Sequence, residues 1–293
     1  MDVFKLREAV VNEYRSYVES FIRVYDPDIG KYIADSLHKG QLWPDAVLQL
    51  NPAFEMDKTL GELAQEGLLA KETARFFGES IRLYKHQRQA LDIARKNEPY
   101  VVTTGTGSGK SLTYLIPIYE WIIKHNPAEH SVRAIIVYPM NALINSQLNA
   151  IDKYQKQFPG SPVRFARFTG QEKEEEKNAI RNDPPHVLLT NYVMLEYILM
   201  RPSERSFLRT ATADLQFLVM DELHFYRGRQ GADVGMLLRR LQQKAGHVPL
   251  VIGTSATMVS KGDRIERCKA VAEVATKLFG VHIKPENIVD ETL

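Results

Sequence analysis

Eight consecutive residues, Thr104-Gly105-Thr106-Gly107-Ser108-Gly109-Lys110-Ser111, have the composition of a phosphate loop. Their three glycines let backbone amides turn inward around phosphate oxygens, and a helix expected from Leu112 to Trp121 adds the positive end of its dipole. Lys110 supplies a cation for β and γ phosphates, and Ser111 supplies a hydroxyl for a metal, so the segment points to ATP with Mg2+. The strict pattern has glycine where this chain has Thr104. A glycine-rich turn with an incidental lysine is the competing reading. The apolar strand before the loop and the helix after it weigh against that reading.

Such a loop needs an acidic partner to hold the metal and place the attacking water. Asp221-Glu222 closes the apolar run Phe217 to Met220 and is the best candidate. Two adjacent carboxylates at a buried strand end are costly without a cation nearby. Asp221 would contact the metal and Glu222 would act as general base. A solvated pair opening the next loop is the alternative.

The elements that position these groups are short, β-branched runs: Tyr100 to Val102, Ala134 to Tyr138, Val163 to Phe168, Val187 to Leu189, Phe217 to Met220 and Leu250 to Ile252. They are nearly uninterrupted rather than alternating, as expected of strands covered on both faces. The expected class is α/β, a parallel sheet with helices on both faces. In such sheets ligands bind beyond the carboxyl ends of the strands, where Thr104, Pro139, Thr169, Thr190, Asp221 and Gly253 all fall.

Residues 1–80 differ: Val10, Tyr14, Tyr17, Phe21 and Ile22 recur at helical spacing, and the stretch after them is punctuated by Asp26-Pro27, Trp43-Pro44 and Asn51-Pro52. The expectation is a helical accessory region over 1–80 and an ATP-binding domain over 81–293. The aromatic stripe is expected to be core, with a protein-partner surface as the alternative. Lys plus Arg number 38 against 36 Asp plus Glu, a net charge of +2, so any polyanion footprint must be local. A single cysteine, Cys268, fits a reducing cytoplasm, and no stretch has the length and apolarity of a membrane span.

The phosphate loop, Asp221-Glu222-Leu223-His224 and Ser255-Ala256-Thr257, in that order, resemble motifs I, II and III of superfamily 2 DExH/DEAD-box helicases. The resemblance covers about residues 84 to 260 and implies a RecA-like first motor domain. It implies adenine recognition by Tyr84 and Gln87, which on their own are only an aromatic and a polar residue entering a helix. Pro139 and Asn141 are similar to motif Ia, Thr169-Gly170 to Ib and Thr190-Asn191 to Ic, loops that hold one nucleic-acid strand by its phosphates. Tyr192 is a weaker stacking candidate that could equally pack under its helix. The resemblance gives His224 and Ser255-Ala256-Thr257 the coupling of nucleotide site to strand movement. Tyr226-Arg227-Gly228 and Leu238-Arg239-Arg240-Leu241 resemble a bacterial branch with a cysteine-rich C-terminal region, acting in DNA repair or phage defence.

The resemblance implies a nucleic-acid-dependent ATPase acting on single-stranded or duplex DNA, with DNA favoured over RNA. No second motor domain follows Thr257, so the expected partner is that domain or the remaining polypeptide, and weak turnover is expected of this chain. The competing reading is a nucleotide-dependent binding module without turnover. A restriction-type translocase would share the same motifs.

Overall fold

The computed structural model describes residues 2–38, 53–105, 107–125, 127–256 and 263–291. Contacts divide the chain into two units, Met1–Pro52 and Ala53–Leu293. In the first unit, α1 (Val3–Phe21) starts at Asp2, whose carboxylate accepts from the Phe4 and Lys5 amides. α2 (Pro27–His38) begins with proline at its first position, and Asp26 accepts from the Asp28 and Ile29 amides. α1 buries none of its residues, which departs from the expected core stripe. Its Tyr17 and Phe21 rings meet each other edge to face, 4.9 Å apart, one turn along the helix.

The contact division falls at 52/53 rather than at 80. β1 (Met56–Thr59) pairs antiparallel with β2 (Arg82–Tyr84), enclosing α3 (Leu60–Gln65) and α4 (Lys71–Phe77). Leu60, Leu63, Phe76 and Phe77 are buried in the core of the second unit, and the Glu120 carboxylate accepts from the Ala70 amide and the Thr73 hydroxyl. Proline punctuation at 44 and 52 hid this continuity, because helices as short as α3 and α4 carry little periodicity.

From there strands and helices alternate. The order is α5 (Lys85–Arg95), β3 (Tyr100–Thr103), α6 (Lys110–Lys124), β4 (Ala134–Tyr138), α7 (Asn141–Gln157), β5 (Phe165–Arg167), α8 (Glu174–Asn182) and β6 (Val187–Asn191). It continues with α9 (Tyr192–Met200), α10 (Arg205–Ala213), β7 (Phe217–Met220), α11 (Gly228–Ala245), β8 (Leu250–Ser255), α12 (Arg264–Phe279) and β9 (Ile288–Asp290). The strands β3 to β9 form one parallel sheet in the order β5-β6-β4-β7-β8-β3-β9.

Each run is apolar throughout because successive residues feed opposite cores. Val102, Ile136, Leu189, Val219 and Ile252 enter one cluster. Val101, Ile135, Leu188, Leu218 and Val251 enter the other. The expected α/β sheet is present, and β9 is an addition to the expected runs: its Ile288 and Val289 pair with β3. No helix among the described residues is long and apolar enough to cross a membrane.

Candidate functional site

The phosphate loop joins β3 to α6. Gly107 and Gly109 adopt φ of +81° and +71°, conformations that side chains disfavour, and a Cβ on Gly109 would also collide with the Gln87 amide. The loop is braced from within by Thr104 Oγ1 and Ser108 Oγ, 2.6 Å apart, and by Ser108 Oγ donating to the Gly105 carbonyl at 2.9 Å. Thr104, the departure from the strict pattern, is fully buried and uses its hydroxyl in that brace. Thr106 lies outside the described residues. Behind the loop, His86 Nε2 donates to the Ser108 carbonyl at 2.9 Å and Gln87 Nε2 to the Gly109 carbonyl at 3.0 Å. Gln87 Oε1 accepts from the Tyr84 amide at 2.9 Å, so both ends of its amide are engaged within the protein. Phe54, Tyr84 and His86 form an aromatic wall with centroids 5.1 to 5.5 Å apart.

Lys110 Nζ donates to the Thr104 carbonyl at 3.1 Å and sits 3.6 Å from Glu222 Oε1, so the loop and the carboxylate pair converge. Thr254, at the end of β8, organises both carboxylate residues. Its hydroxyl donates to Asp221 Oδ1 at 2.5 Å and accepts from the Glu222 amide at 3.1 Å. Burial pushes the Asp221 carboxyl up to about 6; the Thr254 hydrogen bond opposes this, the Glu222 charge adds to it and Lys110 opposes it. Glu222 holds φ +55°, one of two non-glycine residues with positive φ among the described residues, a strained conformation that aims its carboxylate back toward Lys110. Glu222 Oε2 is buried without a hydrogen-bond partner among the described residues, although His224 Nδ1 stands 3.2 Å away. His224 Nδ1 is also 3.3 Å from Ser255 Oγ, so the turn after β7 and the end of β8 touch. Ala256 follows in a bend, and Thr257 lies outside the described residues.

These groups fit a nucleotide with a divalent cation. Among the described residues Lys110 has a carbonyl and a carboxylate for partners, and a buried oxygen without a hydrogen bond among them faces the same space. No cluster of three or more His, Cys, Asp or Glu able to cage a metal occurs among the described residues. Magnesium bound by one carboxylate, a hydroxyl and phosphate oxygens needs no such cage.

The other sequence candidates occupy the same sheet edge beyond β4, β5 and β6. Asn191 Nδ2 donates to Asn141 Oδ1 at 2.6 Å, while Asn191 Oδ1 caps α9 through the Met194 amide at 2.7 Å. Thr190 is fully buried, with its hydroxyl on the Phe168 carbonyl at 2.7 Å. Thr169 is also buried and donates to Glu172 at 2.9 Å. Pro139 is half-buried and Gly170 exposed. Sequence reasoning did not single out Thr254, His86, Phe54 or Glu291, whose carboxylate accepts from the Gly105 amide at 3.1 Å. Thr254 had a signal, since it lies between the strand Leu250 to Ile252 and the motif that begins at Ser255. The others had none.

Comparison with known proteins places this geometry. The DEAD/DEAH box helicase family model matches residues 84–265. Among curated relatives, the chain is 26% identical over 343 residues to the Druantia protein DruE of Escherichia coli (strain UMEA 4076-1), covering 78% of this chain and 19% of that protein. It is 27% identical over 246 residues to the uncharacterized ATP-dependent helicase YprA of Bacillus subtilis (strain 168), covering 83% of this chain and 30% of that one. The chain thus spans less than a third of the length of either relative. A solved structure of the DUF1998 helicase MrfA bound to DNA shares the fold, with a TM-score of 0.67 and 24% identity, covering 82% of this chain and 29% of that one.

Proposed function

The chain belongs to the DEAD/DEAH box helicase family, and on that premise we propose that it is a RecA-like motor domain that hydrolyses ATP in response to a nucleic-acid strand, with DNA favoured. The observation that carries the reading is the meeting of Lys110 and Glu222 at 3.6 Å, with one Thr254 hydroxyl fixing both Asp221 and Glu222. The loop amides and Lys110 bind the phosphates. Ser111 and Asp221 would hold Mg2+, which would supply charge neutralisation for the phosphates. Glu222 orients water and takes its proton, and Lys110 stabilises the charge that develops on the phosphoryl group. Tyr84 and the wall beside it receive the adenine, Gln87 keeps the loop in shape, and His224 with Ser255 relays the state of the site to neighbouring parts of the motor. Pro139, Asn141, Gly170 and Asn191 line the strand's path, while Thr169 and Thr190 support it.

The apolar residues of α1, Val10, Tyr17 and Phe21 among them, suit a protein partner, and the setting we infer is cytoplasmic. Titration with a nonhydrolysable ATP analogue, then steady-state hydrolysis with magnesium, each with and without single-stranded DNA, tests the reading. Strand-stimulated hydrolysis that Glu222→Gln abolishes while analogue binding persists supports it. Analogue binding with little or no hydrolysis would fit the weak turnover expected of this chain alone, and no analogue binding would refute the site.

A further inference from the structure

The strand end of β6 passes directly into a pocket that the ATPase reading leaves unused. A cavity of about 450 Å³ opens between α9 and α11. Tyr192, the first residue of α9, forms one wall; Arg229, Gln230 and Asp233, from the start of α11, surround the rest, and Val234 and Leu237 supply an apolar floor. Arg229, Gln230 and Asp233 are exposed, and neither Arg229 nor Asp233 has an ion-pair partner among the described residues. The Tyr192 ring is steadied by an edge-to-face contact with buried Tyr226, with centroids 6.1 Å apart and planes at 84°. Glu196, further along α9, lies 3.8 Å from Arg240, which offsets its charge.

We propose that this pocket receives one unpaired base of a bound strand, stacked on Tyr192, with Gln230 and Asp233 meeting its polar edge and Arg229 meeting the adjoining phosphate. The proposal rests on the nucleic-acid reading above and adds to it a contact with a base rather than with the backbone. An aromatic side wall over an apolar floor suits a flat ring, and every base has a face to stack. The Asp233 carboxylate, without an ion-pair partner among the described residues, discriminates between ligands. It would repel a phosphate, whereas the exocyclic amines of cytosine, adenine and guanine can donate to it. Position supports the assignment too, since Tyr192 directly follows Asn191, the residue placed on the strand's path.

The test uses the 293-residue chain with a fluorescein-labelled oligo-dC or oligo-dT strand, read by anisotropy, and with a strand carrying 5-iododeoxyuridine for photocrosslinking. Tyr192→Leu is expected to weaken binding about tenfold, while Tyr192→Phe stays within about twofold. The crosslink should map to Tyr192 and disappear in Tyr192→Leu. Asp233→Ala, on the exposed face of α11, should erase a preference for oligo-dC over oligo-dT, and this variant keeps the test decisive if Tyr192→Leu fails to fold. Tight wild-type binding with crosslinks elsewhere and no effect of Tyr192→Leu or Asp233→Ala would overturn the pocket alone. A wild-type chain that binds neither strand would overturn the nucleic-acid reading, and the pocket with it.

Discussion

The two halves of the sheet's carboxyl edge use similar polar residues to opposite ends. Beyond β3, β7 and β8, side chains converge yet keep capacity to bind: Lys110 rests on a carbonyl and a carboxylate, and Glu222 Oε2 lacks a hydrogen bond among the described residues. Beyond β5 and β6, the Thr169 and Thr190 hydroxyls are spent on Glu172 and the Phe168 carbonyl, and both residues are buried. The difference follows from what each half must recognise. A triphosphate and metal concentrate charge in a small volume, so the protein keeps charged groups poised there at a cost in desolvation. For the strand that we propose lies there, a backbone of dispersed charge would need loops of fixed shape, with contact left to exposed amides and to Asn141 and Asn191.

The comparison breaks if variants on one half disturb the other. The largest expected effect is from Lys110→Ala, which should weaken ATP-analogue binding at least about 30-fold by removing a half-buried cation, while single-strand affinity measured without nucleotide changes less than about twofold. Equal losses of both would mean that the halves are not separable. Next is Thr254→Val, which keeps the side-chain shape but removes the hydroxyl shared by Asp221 and Glu222. Turnover should fall about 10- to 100-fold with analogue affinity changed far less, as when a group that orients a ligating carboxylate is lost. Unchanged turnover would mean that the hydroxyl only fills space. On the outer half, Thr190→Val should lower folding stability by about 1–2 kcal/mol, because the buried Phe168 carbonyl loses this partner, with strand affinity nearly unchanged. A strong loss of strand affinity in a variant of unaltered stability would return Thr190 to the binding surface.

The same contrast governs what could be read from the residues. The nucleotide half was legible because phosphate and metal chemistry restrict the usable residue types, and Lys110, Asp221 and Glu222 meet as their motifs require. Strands β3, β4 and β7 were legible from continuous apolar runs. The role of a threonine was not, since Thr190 and Thr254 both lie near strand ends, and only packing shows that one holds a backbone carbonyl and the other the Asp221–Glu222 pair. Strand β9 escaped because it spans three residues, two of them apolar, behind Pro285. The small β1–β2 pair escaped because Met56 to Thr59 alternates weakly and its partner lies beyond two helices.

The smallest effect concerns acid, and it acts through two buried histidines, His86 behind the phosphate loop and His186 at the amino end of β6. Burial holds His86 and His186 below the ordinary histidine value of 6.5, opposed by the Ser108 and Glu129 carbonyl contacts respectively. His186 Nδ1 accepts from the Arg164 amide at 3.0 Å and Nε2 donates to the Glu129 carbonyl at 3.1 Å, a pattern only the neutral ring can make. Because the folded values lie below the unfolded ones, the unfolded chain binds more protons. Stability is therefore retained above the unfolded value and lost as pH falls below it toward the folded values. In Asp221→Asn, which removes the carboxyl that burial pushes up to about 6 and that titrates with the opposite sign, the thermal midpoint should be lower at about pH 5.5 than at about pH 7.5. His186→Asn, whose amide can still accept from Arg164, should shrink that difference without abolishing it, because His86 continues to titrate behind the phosphate loop. A midpoint independent of pH across this interval would show that neither ring is held neutral by the fold. Complete loss of the dependence in His186→Asn would place the whole acid sensitivity at the amino end of β6.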